Sequence, residues 1–178
     1  MNTQDISTRS SHVGHRVLIT GAGQGIGEAI ALAFGRRHAA VGVLDANGER
    51  ARFVASAIQE QGGQASAALA DVSDYDALEQ AVRALEADLG GPFVSLVNNA
   101  GISPKHDGKA HGVWQMSPEE WVRVISINLN GAFNCIRLLA PAMCGAGHGA
   151  IVNIASVAGR TYSPIVGAHY AASKGGLI

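Results

Sequence analysis

The stretch Arg16-Val-Leu-Ile-Thr20, followed at once by Gly21-Ala-Gly-Gln-Gly25-Ile-Gly27, decides the fold. A short apolar run that ends in clustered glycines predicts a strand, a tight turn and the start of a helix. Apolar side chains then recur at helical spacing from Gly27 to Arg37. Such a turn lets the backbone approach a phosphate, whose charge the helix N-terminus attracts. The stretch therefore predicts a dinucleotide site.

The alternation of strand and helix continues to the end of the chain. We predict further strands at residues 40–44, 65–70, 93–97 and 150–155, with helices at 49–61, 74–89, 117–143 and from about 170 onward. Strands that alternate with helices at this spacing favour a parallel sheet covered on both faces. We therefore predict an α/β fold, a Rossmann-like doubly wound parallel sheet with strand order 3-2-1-4-5.

Two helix starts carry capping signals. Asp74 stands where a helix N-cap is expected, before the apolar pattern of residues 74–89. In Ser117-Pro-Glu-Glu120, a serine cap, a proline at the first helical position and a glutamate at the third predict a capping box. We expect one helix from this box to about Met143.

Composition indicates one soluble domain. The chain has 178 residues, of which 47% are hydrophobic and 15% charged, which is enough for a buried core. We predict a disordered N-terminal segment at residues 1–14 and a single NAD-binding domain at residues 15–178. The net charge of −1 argues against nucleic acid or an anionic membrane as partners. No apolar run approaches the roughly 20 residues of a membrane span, so a cytoplasmic location is expected.

The two cysteines are predicted to be free thiols. Cys135 and Cys144 are nine positions apart in or at the end of one predicted helix, so they point to roughly opposite sides. A reducing compartment fits this arrangement.

Tyr170-Ala-Ala-Ser-Lys174 places a phenol and an ammonium group one helical turn apart. Residues at i and i+4 share a helix face, so the charge of Lys174 favours the ionised form of Tyr170. A tyrosine placed in this way can act as an acid or a base near neutral pH. Together with the glycine turn, the pair predicts a proton donor facing a bound dinucleotide.

Asp45 closes the second predicted strand, a little over the roughly 20 residues beyond the glycines at which an acid holds the adenosine ribose hydroxyls. A carboxylate there repels a 2′-phosphate, and neither Gln24 nor Ala46-Asn47 supplies a compensating cation. We therefore predict NAD rather than NADP. Arg50, on the next helix, opposes this choice, and Asp45 also fits a plain strand-end turn.

These residues converge on a known family. After residue 15 the chain resembles the short-chain dehydrogenases/reductases of the NNAG-motif type. The matching elements are Thr20-Gly21 to Gly27, Asp71-Val72, Asn98-Asn-Ala-Gly101, Ile127-Asn128-Leu-Asn-Gly131, Asn153-Ile-Ala-Ser156-Val157, and Tyr170 to Lys174. An extended-type epimerase also uses a tyrosine and a lysine four apart. Gly25 and Gly27, two positions apart, differ from the usual glycine loop of those enzymes.

The resemblance implies hydride transfer between a nicotinamide cofactor and an alcohol or ketone carbon. Tyr170 exchanges the proton on oxygen, while Lys174 holds the nicotinamide ribose and favours the ionised tyrosine. Ser156 hydrogen-bonds the substrate oxygen, and Asn128 positions a water that links Lys174 to solvent. Taken singly, Ser156 also fits a capped strand end, and Asn128 a buried amide that bonds its own backbone.

The motifs together imply the following cofactor-binding residues: Gly21, Gln24, Gly25, Ile26, Gly27, Asp45, Asp71, Val72, Asn98, Ala100, Gly101, Tyr170 and Lys174. No metal is predicted. His106, Asp107 and His111 lie in the loop 101–116 and could in principle hold one, but a solvated surface or a substrate-side flap is the preferred interpretation. Trp114, in the same loop, is predicted to be a packing residue.

Members of the family continue beyond the tyrosine helix, so we expect this chain to lack a C-terminal part. Strand five should then be an exposed edge. The full-length parent is expected to be an active homotetramer or dimer built on helix 117–143 and the tyrosine helix, while the 178-residue chain is weakly active or inactive. A non-catalytic NAD-binding module is the alternative. Hydroxyacyl, sugar-like, cyclic and steroid-like substrates all remain open.

Overall fold

The computed structural model describes residues 12–178, so most of the predicted N-terminal segment, residues 1–11, lies outside the described residues. Residues 12–15 form a turn in which the backbone N–H of His15 donates to the His12 carbonyl at 2.9 Å. The N–H of His12 donates to the carbonyl of Arg37 at 2.8 Å. This turn leads directly into the first strand.

Five parallel strands form one sheet in the order β3-β2-β1-β4-β5, which confirms the predicted topology. The strands are β1 Arg16–Thr20, β2 Ala40–Asp45, β3 Gln64–Leu69, β4 Ser95–Asn98 and β5 Ala150–Asn153. The helices are α1 Gly25–Gly35, α2 Gly48–Glu60, α3 Tyr75–Asp88, α4 Pro118–Ile125, α5 Gly131–Ala146 and α6 Ala168–Gly176. Because all strands are parallel, their carboxyl ends meet at one edge of the sheet.

Apolar residues of the strands fill both faces of the sheet, as expected where helices cover both sides. In β1, Leu18 packs into one cluster, with residues of α3 and α5. Val17 and Ile19 pack into the other cluster, with residues of α1 and α2. All three side chains are fully buried, and their alternation follows the two-residue period of a strand.

Phe93 was predicted to begin the fourth strand but precedes it, since β4 begins at Ser95. Its side chain is nevertheless fully buried against β2. A Cβ added to Gly42 would lie only 2.5 Å from Cζ of the Phe93 ring. The apolar sequence pattern at Phe93 therefore indicates a buried residue and not a residue paired in a strand.

The predicted helix 117–143 is interrupted. A turn of π-helix at Ser126–Asn130 separates α4 from α5, and the Gly131 N–H donates to the Ser126 carbonyl five residues back. The predicted capping box is only half present. Ser117 Oγ accepts from the Glu120 N–H at 3.1 Å, but the Glu120 carboxylate bonds two histidine rings instead of closing the box.

Both cysteines are free, as predicted; Cys135 is buried and Cys144 exposed. Burial raises the pKa of the Cys135 thiol to about 12, so this group stays protonated near neutral pH. Among residues 12–178, no helix is long and apolar enough to cross a membrane.

Candidate active site

An open cleft of about 630 Å³ lies at the carboxyl edge of the sheet. Eleven of the predicted site residues line it: Gly21, Gln24, Gly25, Ile26, Asp45, Asp71, Val72, Ala100, Gly101, Tyr170 and Lys174. The predicted residues Gly27, Asn98, Asn128 and Ser156 are not among its lining residues. The chain thus brings the glycine turn and the tyrosine–lysine pair to one cavity, although about 150 residues separate them in sequence.

The glycines of the turn are needed for two different reasons. Gly21 and Gly25 have φ of 61° and 59°, a backbone region that favours glycine. A Cβ on Gly25 would meet nothing within 4 Å, so it would project into open space. A Cβ on Gly27 would lie 2.2 Å from the Gly21 carbonyl oxygen, so Gly27 is required by the protein's own packing. The sequence pattern had instead suggested that Gly27 lets the backbone approach a phosphate.

Asp45 lies at the carboxyl end of β2, and its carboxylate is held by two backbone N–H groups. Oδ2 accepts from Gly23 and Oδ1 from Asn47, both at 2.8 Å. The Arg50 guanidinium hydrogen-bonds the Gln24 side chain. The Asp45 carboxylate therefore faces the cleft, and the Arg50 guanidinium is hydrogen-bonded to Gln24.

Asp71 and Val72 follow β3, and both line the cleft. Asp71 Oδ1 accepts from the backbone N–H of Ser73 at 2.9 Å and from its hydroxyl at 2.7 Å. Val72 is 4% exposed, and a Cβ on Gly131 would lie 2.4 Å from its Cγ2. Val72 therefore packs against the start of α5 as well as lining the cleft.

Asn98 was predicted to bind the cofactor, but its side chain points between strands. Its amide donates to Asn153 Oδ1 at 2.9 Å and joins β4 to β5. The neighbouring Asn99, which the prediction omitted, lines the cleft. Its amide donates to the carbonyls of Thr20 and Gly21 at 3.0 and 2.9 Å and so fixes the glycine turn. No sequence signal distinguishes these two adjacent asparagines.

Asn128 lies in the π turn and is 1% exposed. Its Oδ1 accepts from the Ile102 N–H at 2.8 Å, and its Nδ2 donates to the Ile102 carbonyl at 3.0 Å and to Ser173 Oγ at 3.1 Å. The side chain therefore clamps the loop after β4 to α6. It does not bond its own helix backbone, which was the structural alternative.

Tyr170 and Lys174 lie on one face of α6, as the spacing predicted. Lys174 Nζ is 5.7 Å from the centroid of the Tyr170 ring. Nζ donates to the Ile154 carbonyl at 2.7 Å, and the side chain is 4% exposed. Burial lowers the pKa of Lys174, because the charged form loses solvation.

Ser156 caps a short 3₁₀ turn at Val157–Gly159, and its Oγ accepts from the Ala158 N–H at 3.2 Å. The turn lies directly on α6, since a Cβ on Gly159 would be 2.6 Å from the Lys174 carbonyl carbon. Ser103 was missed by the sequence reasoning. It lines the cleft, and its buried hydroxyl has no hydrogen-bond partner among the described residues.

The loop after β4 differs from its prediction in two respects. Trp114 is 88% exposed, so it is not a packing residue within residues 12–178. His106 and His111 approach each other and Glu120 rather than Asp107. Glu120 also bonds His169, which directly precedes Tyr170. The hydrogen bond from His169 is the main cause that holds the pKa of the Glu120 carboxyl below its usual value.

Comparison with known proteins gives a family for this fold and site. The short chain dehydrogenase family matches residues 15–178, and the chain belongs to that family. Members of the family use nicotinamide cofactors. The chain is 37% identical over 158 residues to cyclohexanol dehydrogenase of Acinetobacter sp. (strain SE19), covering 89% of this chain and 61% of that protein.

Further relatives and solved structures agree. The 3-oxoacyl-[acyl-carrier-protein] reductase FabG of Staphylococcus aureus (strain Mu50 / ATCC 700699) is 37% identical over 162 residues, covering 90% of this chain and 63% of that protein. A Brucella melitensis 3-oxoacyl-[acyl-carrier protein] reductase with bound NAD is 50% identical, with a TM-score of 0.89 over 98% of this chain and 66% of that one. A gluconate 5-dehydrogenase from Burkholderia cenocepacia J2315, in complex with NADP and tartrate, is 34% identical, with a TM-score of 0.85 over 96% and 64% of the two chains. The chain thus spans less than two thirds of the first curated relatives' length.

Proposed function

We propose that the chain is part of an oxidoreductase that transfers a hydride between NAD and an alcohol or ketone carbon, with Tyr170 as its acid–base group. One observation carries the proposal: the glycine turn, Asp45, Tyr170 and Lys174 all line a single cleft. A phenol beside a buried ammonium group, in a cleft that the glycine turn also lines, is the arrangement that such proton-coupled hydride transfer needs.

The residues present fit a bound dinucleotide. Gln24, the N-cap residue of α1, makes no side-chain cap hydrogen bond within the described residues, so the first N–H groups of the helix remain available to an anion. The turn is open above Gly25, and the Ser103 hydroxyl in the cleft, which has no hydrogen-bond partner within residues 12–178, offers a polar contact. When bound, the cofactor supplies the carbon that accepts or returns the hydride.

Tyr170 moves the proton. In alcohol oxidation its oxygen takes the hydroxyl proton as the hydride leaves the carbon, and in ketone reduction it returns that proton. Lys174 places its positive charge beside the phenol, with Nζ 5.7 Å from the ring centroid, and is the residue that would hold the nicotinamide ribose. Ser156 Oγ already accepts from Ala158 N–H, which leaves its own hydroxyl proton to donate to the substrate oxygen. Asn128 holds the loop and α6 at the distance that this arrangement requires.

NAD rather than NADP is the proposed cofactor. The Asp45 carboxylate can accept bonds from ribose hydroxyls but repels a 2′-phosphate, and Arg50 is engaged by Gln24. The similar Brucella structure contains NAD, whereas the gluconate 5-dehydrogenase contains NADP. Calorimetric titration should show at least about tenfold tighter binding of NAD, since loss of the ribose contacts and charge repulsion together exceed about 1.4 kcal/mol.

A secondary alcohol or a 3-oxoacyl-like ketone is the proposed substrate class. The support comes from the relatives named above, which include a cyclohexanol dehydrogenase and reductases of 3-oxoacyl groups. Both substrates place a carbon-bound oxygen next to a carbon that can give or accept a hydride.

Comparing the complete wild-type protein, with the C-terminal part that its relatives carry, with its Tyr170→Phe variant tests the catalytic role. Single-turnover hydride transfer between NAD and cyclohexanol should fall at least about 100-fold in the variant, because the phenol proton is lost. NAD affinity should stay unchanged. Equal transfer rates would refute the role of Tyr170. If wild type bound NAD but transferred no hydride to any alcohol or ketone offered, the non-catalytic NAD-binding module would be the better description.

A homo-oligomer is also proposed for the complete protein, as dimer or tetramer. Apolar side chains on α4 and α5 are exposed, with Val122 60% and Phe133 59% accessible. Exposed apolar residues on neighbouring helices are suited to a subunit interface. Light scattering after size-exclusion chromatography tests this, and a Phe133→Lys variant should shift the protein toward monomer.

A further inference from the structure

A cluster of three metal-ligating side chains lies outside the cleft and plays no part in the mechanism above. His106, His111 and Glu120 each offer one ligand atom, and these atoms lie within 4.8 Å of one another. None of the three residues lines the cleft. We propose that these three side chains form a binding site for a divalent transition-metal ion of the zinc class.

The backbone of the loop is built to bring the two histidines together. The N–H of His106 donates to the Lys109 carbonyl at 2.8 Å, and the Lys109 N–H returns a bond to the His106 carbonyl at 3.0 Å. Between them, Asp107 and Gly108 both have positive φ, 50° and 78°. This is the geometry of a two-residue hairpin turn, for which Asp-Gly is a preferred sequence. The turn holds His106 at a fixed place and leads the chain back toward His111.

The Glu120 carboxylate bonds histidines of the cluster region instead of capping the N-terminus of its own helix. As the third residue of α4 it could close a capping box with Ser117, but its carboxylate bonds His106 Nε2 through Oε2 at 2.7 Å. Its other oxygen, Oε1, accepts from His169 Nε2 at 2.8 Å. The glutamate therefore serves contacts within this cluster rather than the helix end.

His169 supplies the outer support that a ligating carboxylate usually has. The ring is 1% exposed, and its Nδ1 accepts the backbone N–H of Tyr170 at 2.7 Å. The proton of the neutral ring therefore lies on Nε2, where it is donated to Glu120. One glutamate oxygen is thus oriented by a buried histidine, and the other is left for the ion.

The chemistry and the distances fit zinc better than magnesium or calcium. Two imidazoles and one carboxylate suit Zn²⁺, whereas Mg²⁺ and Ca²⁺ prefer oxygen ligands alone. In a tetrahedral zinc site the ligand atoms are roughly 3.3 Å apart, whereas here they lie within 4.8 Å of one another, so the side chains must rearrange around the ion. The ion takes the place of the proton between His106 and Glu120, and that proton is released to solvent. A water molecule completes the coordination.

One ring must turn for the ion to bind. The rings of His106 and His111 are stacked, with centroids 3.5 Å apart and planes inclined by 8°. Nitrogen lone pairs in parallel rings do not converge, so His111 rotates out of the stack. No hydrogen bond holds the His111 ring in the stack, since the ring has no hydrogen-bond partner among residues 12–178.

The bound ion connects the loop to the catalytic helix. Through Glu120 and His169 it joins residues 106–111 and α4 to the backbone of Tyr170 at the start of α6. Zinc should therefore raise the thermal midpoint of the chain, because it binds the folded form alone. This inference does not depend on the proposed function, since its readout is metal binding and not turnover.

Co²⁺ and Zn²⁺ binding to the 178-residue chain tests the proposal. Protein made without a histidine tag and treated with EDTA should bind one Co²⁺ with visible d–d absorption, which one equivalent of Zn²⁺ displaces. His111→Ala should weaken binding at least about tenfold, because one ligand of three is lost. Its ring makes no hydrogen bond within the described residues, so the variant should keep its fold by circular dichroism.

His148→Ala is the matched control. His148 is exposed, and among residues 12–178 its ring bonds only the Ala146 carbonyl, so its loss should leave metal affinity and stoichiometry at wild-type values. Glu120→Gln keeps the size of the side chain but removes its charge and should weaken binding as His111→Ala does. The proposal is overturned if wild type binds no Zn²⁺ at about 1 mM, or if His111→Ala binds as tightly as His148→Ala.

Discussion

Asn98 and Asn99 are adjacent and chemically identical, yet their side chains serve different parts of the molecule. Asn98 joins β4 to β5, whereas Asn99 holds the carbonyls of Thr20 and Gly21. Successive side chains of a strand point in opposite directions, so only one of the two can face the glycine turn. For these two asparagines, the direction of the side chain decides which part of the molecule it contacts.

Gly27 shows how one missing side chain shapes the site. Gly27→Ala should lower the free energy of unfolding by about 2 to 3 kcal/mol, because the new Cβ meets the backbone oxygen of Gly21, which cannot move freely. Gly145→Ala is the control. It adds a Cβ in α5 with nothing within 4 Å and should be neutral or stabilising by about 0.5 to 1 kcal/mol. Urea denaturation measures both, and equal values would contradict the explanation.

Lys174 makes stability depend on pH in a definite direction. Burial lowers its folded pKa below the unfolded value of 10.5, so between these values the unfolded chain binds more protons and stability rises with pH. At pH values below the pKa of Lys174 in the folded chain, the side chain is charged, and the full free-energy cost of burying that charge is present. The free energy of unfolding of wild type minus that of Lys174→Met should therefore increase as pH approaches 10.5. Urea denaturation from pH 7 to 10 measures the difference, and a flat or falling curve would contradict it.

Between α4 and α5, a π turn replaces the regular hydrogen bonds of an α-helix. The π turn at Ser126–Asn130 contains Asn128, whose amide bonds both backbone groups of Ile102. π turns inside helices are frequent at functional sites. At this scale, a local irregularity joins the loop after β4 to the helix that carries Tyr170.

Removing the Asn128 amide should therefore affect more than its own helix. Asn128→Ala should cost about 2 to 4 kcal/mol, since it leaves the N–H and carbonyl of Ile102 without their partners in a mostly buried place. Asn130→Ala is the control in the same turn, because Asn130 is exposed and makes no side-chain cap hydrogen bond. It should stay within about 0.5 kcal/mol of wild type. Similar losses in both variants would refute the clamp.

In the whole molecule, the sheet divides into a protected centre and an open edge. β1 lies between β2 and β4, and its Val17, Leu18 and Ile19 are fully buried. Within the part of the chain that the structure describes, β5 pairs with β4 alone, as expected for an edge, and Ile151 and Val152 are 40% and 50% exposed. Opening of β5 therefore disturbs fewer contacts.

Hydrogen exchange should report this difference. Backbone amides in peptides that cover β1 should exchange only on global unfolding, whereas those covering β5 should exchange faster through local opening. Mass spectrometry of the 178-residue chain in deuterated buffer measures both, and β4 serves as an internal reference with two neighbours. Equal protection of β5 and β1 would show that this edge is covered, for example by a second copy of the chain.

The alternation of strands and helices, the strand order and eleven of the residues that line the cleft could be read from the sequence alone. Strand and helix periods, the glycine turn and the Tyr170–Lys174 spacing are local properties, because they depend on residues within one or two turns of each other. Side-chain direction and long-range contacts are not local. Tertiary structure alone therefore decided which asparagine faces the glycine turn, where helix 117–143 breaks, and that Glu120 leaves its capping box to meet His106, His111 and His169. The physical reason is that these contacts join residues far apart in the chain, and their distances depend on how the helices pack against the sheet.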